Sequence, residues 1–137
     1  MAFIDKVKFS YFFIKGSRLL REENTLDALL YFNKASRCKH KDYDLYAYKG
    51  LCEFLLHKYE NAILSYQEAL PLIHKKHKLN KDEKDYLKYY ILGNLILSLK
   101  ILKKNENIGK YEQLYKNLTF NKVEISERIL EDFPIES

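Results

Sequence analysis

Residues 9–42 read FSYFFIKGSRLLREENTLDALLYFNKASRCKHKD, and residues 43–76 read YDLYAYKGLCEFLLHKYENAILSYQEALPLIHKK. Five features recur at one offset of 34 residues: Phe12 as Tyr46, Gly16 as Gly50, Ala28 as Ala62, Phe32 as Tyr66 and Ala35 as Ala69. A fixed offset of this length marks stacked supersecondary units. Apolar residues within each unit fall at helical spacing. Leu26, Leu29, Leu30, Phe32 and Ala35 form one stripe, and Ala62, Ile63, Tyr66, Ala69 and Leu70 form its counterpart.

Working outward, helices are expected over about 3–22, 25–38 and 43–56, with a fourth starting near Glu60 or Asn61. Asn24 is expected to cap the second helix, with Asp27 near its positive end. Pro71 falls late in the fourth pattern and predicts a break or bend near Ala69–Pro71. A charged stretch follows from His74 to Asp85. Asn80 and Glu83 form a capping-box signature for a long helix to about Lys104. A sixth helix is expected over about 106–118, with Ile108, Tyr111, Leu114, Tyr115 and Leu118 inward. Asn121 is expected to cap a last short helix carrying Val123, Ile125, Ile129 and Leu130, closed by Pro134.

The bulk properties agree with long helices and short connections. The chain has 137 residues, is 47% hydrophobic, and has only 4 Gly and 2 Pro, too few turn formers for a chain of many short strands. Its formal net charge is +5. Arginine, the usual residue for bidentate phosphate and base recognition, occurs at Arg18, Arg21, Arg37 and Arg128 only. The basic balance is thus a weak pointer to nucleic acid, and an AT-rich coding bias is the simpler explanation of the Lys, Asn, Ile, Tyr and Phe content. No secretory signal is visible at the start, and no apolar run is long enough to span a bilayer. Cys38 and Cys52 have no metal-ligand spacing. A reduced, cytoplasmic protein is expected.

The pattern Phe12-x-x-Lys15-Gly16-x-x-Leu19 followed by Ala28-x-x-x-Phe32-x-x-Ala35 resembles the tetratricopeptide repeat (TPR). So does Tyr46-x-x-Lys49-Gly50 followed by Ala62-x-x-x-Tyr66-x-x-Ala69. Small residues let two antiparallel helices approach to the short end of the 8–10 Å interaxial range. There are departures: Lys15 and Lys49 replace the usual Leu, Glu53 the usual Tyr, and His40 and His74 the closing Pro. Gly93, with Tyr89 in the aromatic place and Leu92 beside it, looks like a third, degenerate repeat.

The resemblance implies an all-α fold: a right-handed TPR-like solenoid of helical hairpins with a C-terminal capping helix. It implies one domain over 1–137. Repeat 1 covers about 9–42, repeat 2 about 43–76, a charged insertion about 71–85, the worn third repeat about 86–118, and the capping helix about 122–132. By resemblance, a concave groove is lined by Phe13, Ser17, Leu20 and Arg21, then Ala47, Leu51, Phe54 and Leu55, then Tyr90, Asn94 and Leu97. This lining is mostly apolar and lacks the Lys–Asn–Arg set of carboxylate-clamp TPRs. The expected function is non-enzymatic binding of a protein or peptide segment, as an adaptor, chaperone or immunity-type protein. Self-association and filling of the groove by the C-terminal helix are the competing uses of that surface. A basic nucleic-acid-binding helical protein is the alternative class, with Lys75, Lys76, Lys78, Lys81 and Lys84 as its phosphate contacts. No cofactor, metal site or catalytic constellation is expected. His74 and His77 share a helical spacing but lack further ligands, so a solvated basic loop is the simpler reading.

Overall fold

The computed structural model describes residues 2–134; residue 1 and residues 135–137 lie outside the described part. It contains seven α-helices and one 3-10 turn, with no strand among the described residues. The helices are α1 (Ala2–Arg21), α2 (Thr25–Ser36), α3 (Tyr43–Leu55), α4 (Tyr59–Lys75), α5 (Lys81–Ile101), α6 (Ile108–Lys116) and α7 (Glu127–Asp132). The 3-10 turn spans Lys122–Glu124. The chain divides into two compact units, Met1–Ala69 and Leu70–Ser137.

In the first unit, α1 and α2 form an antiparallel hairpin held at both ends. Near its open end, the backbone N–H groups of Lys39 and His40 donate to Asp5 Oδ2 at 2.9 and 3.3 Å. Nearer the turn, Gly16 lies against the ring of Phe32: a Cβ added to Gly16 would stand 2.8 Å from Phe32 Cε1. The second hairpin repeats this contact. A Cβ on Gly50 would stand 2.7 Å from Tyr66 Cε1. Ala28, Phe32, Ala35, Ala62, Tyr66 and Ala69 are all fully enclosed. The echoing glycines and the aromatics of the second helices are thus the residues that interlock the two helices of each hairpin, and the echoing alanines are enclosed beside them. Between hairpins, α2 packs on α3, with Phe32 stacked on Tyr48 at 5.7 Å.

The turns echo as well, through residues that the sequence does not flag. Glu23 (φ 63°) and His57 (φ 61°) are left-handed, and 34 residues separate them. Asn24 N–H donates to Leu19 O at 2.8 Å, and Lys58 N–H donates to Glu53 O at 2.7 Å. This is the Schellman closure, made here by residues other than glycine at a cost of about 1 kcal/mol each.

In the second unit, α5 and α6 are antiparallel, with Tyr89 stacked on Tyr115 at 4.7 Å. α5 ends on the same closure: Lys103 is left-handed (φ 57°), and Lys104 N–H donates to Leu99 O at 2.9 Å. Gly93 stands ten residues before its left-handed residue, whereas Gly16 and Gly50 stand seven before theirs. The third glycine is therefore about one helical turn further from the loop. A Cβ there would meet Tyr115 at 3.6 Å, an ordinary contact.

The charged stretch before and into α5 holds the chain's last segment. Asn80 Nδ2 donates to Glu124 O at 2.8 Å, and Lys81 Nζ donates to Thr119 O at 2.7 Å. Asp82 accepts from Asn121 N–H at 3.1 Å, and the buried Glu83 accepts from Ser126 N–H at 3.0 Å. Tyr86 Oη donates to Phe133 O, and Phe133 lies edge-on to Tyr90 at 5.2 Å. Acids interleaved with lysines in 80–85 are accounted for by this backbone capture.

Four local expectations need correction. α4 runs unbroken through Pro71 to Lys75, so the lost N–H at that position does not end the helix. Asn24 sits at the start of α2, but its amide donates to Asp27 Oδ2 at 3.0 Å and caps no backbone N–H. Asn121 caps the 3-10 turn instead of α7, whose first flanking residue is Ser126. The inward stripe expected for α6 is not enclosed: no residue of α6 is buried, and Leu114 is exposed. The capping box at Asn80 and Glu83 is present in both directions.

Candidate functional site

Within the first unit, the residues expected to face a partner divide into packed and accessible sets. Phe13 is half-buried between Phe32 (5.9 Å) and Tyr48 (5.6 Å) and is stacked on Phe9 (5.7 Å). Ser17 is buried and donates to Phe13 O at 2.8 Å. Ala47 is fully enclosed. These two side chains contribute packing and offer no surface to a partner, because small residues at those helix positions admit the neighbouring helix. Leu20, Leu51 and Phe54 are half-buried, and Arg21 and Leu55 are exposed. Phe54 meets Tyr59 edge-on at 5.7 Å. Of the residues expected to face a partner in this unit, Leu20, Arg21, Leu51, Phe54 and Leu55 thus keep accessible surface.

Between α3 and α4 lies a polar group of three, two of them buried. Lys49 Nζ is 2.9 Å from Glu53 Oε2 and 3.2 Å from Ser65 Oγ, and Ser65 Oγ donates to Glu53 Oε1. Glu53 and Ser65 are buried. A charge in such a place is tolerated when it is paired and hydrogen-bonded. The two departures from the TPR pattern in this helix, Lys49 and Glu53, are one ion pair. The corresponding lysine of the first hairpin, Lys15, has no acid four residues on and instead lies 5.1 Å from the Tyr31 ring centroid.

Within the second unit, Tyr90 is half-buried, and burial followed by the neighbouring Tyr86 pushes its hydroxyl up to about 12. Asn94 is half-buried, with its carbonyl accepting from Ser98 Oγ at 2.8 Å. Leu97 is exposed and lines a cleft between α5 and α6 of about 860 Å³. Its other walls include Tyr89, Ile96, Glu112, Gln113 and Tyr115, with Gly93 and Gly109 lacking side chains to fill it. A Cβ on Gly109 would meet nothing within 4 Å. The volume is in the range of sites for small ligands or inserted side chains. Sequence reasoning did not find this cleft. The available signal was Gly109, sixteen residues after Gly93, where the first two repeats place Phe32 and Tyr66.

Cys38 and Cys52 are both buried free thiols. Burial, then the charge of Glu53, pushes Cys52 up to about 12; burial, then Asp5, raises Cys38. The described residues hold no group of three His, Cys, Asp or Glu placed to bind a metal. No described helix is long and apolar enough to cross a membrane. No family model, curated protein or solved structure matches the chain.

Cys52 carries a pH prediction. An unfolded thiol loses its proton near 9, whereas folded Cys52 keeps it to about 12. Raised in the folded state, the group supports folding fully below 9 and progressively less as pH rises toward 12. The loss is about 1.4 kcal/mol per pH unit in that window. Urea midpoints at pH 8 and 10.5 check it: the fall with pH is expected to be shallower in Cys52→Ala than in the parent, and equal slopes would refute the assignment.

Proposed function

We propose that this chain is a TPR-like array of helical hairpins, with a right-handed course and a C-terminal capping segment. It binds a segment of a partner protein through the apolar surface carried by the first helices of its hairpins. It acts in the cytoplasm as an adaptor, chaperone or immunity-type protein and not as an enzyme. The observation that carries this reading is the Gly–aromatic interlock, made in the same way at Gly16–Phe32 and Gly50–Tyr66. A repeated interlock with one helix stacked on the next hairpin is what a solenoid requires. Leu20, Leu51, Phe54 and Leu55 supply accessible apolar area next to that packing.

Capture of partners from the native host, identified by mass spectrometry and then titrated against the parent and Phe54→Ala, tests the reading. Loss of a central aromatic anchor is expected to weaken binding by about 2 kcal/mol, roughly thirtyfold. Unchanged binding would remove the groove assignment. Affinity for RNA or DNA that collapses steeply with added salt would favour the nucleic-acid alternative instead.

A further inference from the structure

α1 is apolar on both sides, and among the described residues only one side is covered. Its inner face packs on α2 through Phe13 and Gly16, with Phe9 buried beside His40. Its outer face carries Phe3, Ile4, Val7, Tyr11 and Ile14, each between 51% and 77% exposed. A surface helix normally shows polar residues there.

The repeat explains what such a face is built for. Tyr11, Ile14 and Arg18 correspond, 34 residues on, to Leu45, Tyr48 and Cys52 in α3. Those three are buried, and α2 packs on α3 with Phe32 stacked on Tyr48. Over Tyr11–Arg18 the outer face of α1 thus shares the register of a face that accepts a helix, and no described helix lies on it. Ile4, Val7, Tyr11 and Ile14 alternate in steps of three and four, the spacing of a helix–helix seam.

Charge decides which helix fits. Lys8, Arg18 and Arg21 are exposed along this stripe, with Lys15 half-exposed beside them. Between Asp5 and Glu22 the helix has no carboxylate, and Asp5 is engaged by the backbone of Lys39 and His40. A second copy pairing through the same face would set this cationic rim against itself, which is unfavourable. We infer that the outer face of α1 is a docking site for an amphipathic helix of another protein, with an apolar seam and Asp or Glu on its flanks. This site is separate from the surface around Phe54.

The test uses the full chain and two synthetic helices of about 20 residues, long enough to be helical when bound. Both carry Leu in three–four spacing; one has Glu at the flanks and the other has Lys. The Glu peptide is expected to bind at least about tenfold more tightly than the Lys peptide. Its binding is expected to be lost in the double variant Tyr11→Gln/Ile14→Gln, whose melting temperature stays at the parent value, and to persist in Phe54→Ala. Equal binding of the two peptides, or loss in Phe54→Ala with retention in the double variant, would overturn the inference. So would sedimentation showing a dimer that the double variant abolishes. Uptake by phosphatidylserine vesicles without binding of the Glu peptide would reassign the face to a membrane surface.

Discussion

Lys49→Ala is expected to destabilise the fold by about 3 kcal/mol, far more than a lysine on a helix surface normally carries. The reason is what it leaves behind. Glu53 is 2% exposed and would keep only Ser65 as a partner. Removing one member of a buried pair costs about 3–5 kcal/mol, mostly as the desolvation of the other charge. Lys49 keeps 19% of its side chain in water, which places the effect at the low end. Replacing the whole group with apolar residues of similar size, as Lys49→Met/Glu53→Leu/Ser65→Ala, is expected to fall within about 1 kcal/mol of the parent. Lys15→Ala, at the matching place in the first hairpin, removes a contact with Tyr31 and is expected to cost about 1 kcal/mol or less. Urea unfolding of the three variants checks this ordering. A neutral Lys49→Ala would mean that the Glu53 carboxylate does not depend on the ammonium.

These residues show where the sequence was informative and where it stopped. The glycines, alanines and aromatics at the fixed offset were legible because close helix contact admits few residue types, and their period is visible in one dimension. Lys49 and Glu53 were visible only as misfits. Their meaning needs Ser65, which lies on the next helix and has no sequence mark of its own. Glu23 and His57 illustrate the same limit. Their left-handed backbone is set by the closure of the helix end, and neither residue type announces it. Pro71 does not break α4, because its local cost is set against the burial of Ala69 and Ile73 on either side.

The surface was less legible than the core. Helical periodicity marks an apolar stripe but does not say whether anything covers it. The stripe of α6 is half-exposed, and α1 has a second stripe merged with the first in the sequence. Of the groove residues expected from the resemblance, Ser17 and Ala47 are packed away, whereas Phe54, Leu55 and Leu97 remain accessible. Registering hairpins by their glycines also hid the cleft. The third glycine is offset by about a turn, and only the position of the left-handed Lys103 shows it.

The four glycines should respond to alanine with opposite signs. In a helix, Gly→Ala alone gains up to about 1 kcal/mol. At Gly50 the new methyl would stand 2.7 Å from Tyr66 Cε1 and 2.8 Å from Cδ1, about 1 Å inside the favourable carbon–carbon distance. Tyr66 is fully enclosed, so its ring has no space to retreat into. Overpacking therefore exceeds the helix gain, and Gly50→Ala is expected to lose about 2 kcal/mol net. Gly16→Ala, 2.8 Å from the equally enclosed Phe32, should lose a similar amount. Gly93→Ala meets Tyr115 at 3.6 Å, and Gly109→Ala meets nothing within 4 Å. Both keep the helix gain and should stabilise by about 0.5–1 kcal/mol. Thermal melts of the four variants decide the matter. If all four variants melt above the parent, the glycines share only a helical propensity and the interlock at Gly16 and Gly50 is not what holds the hairpins together.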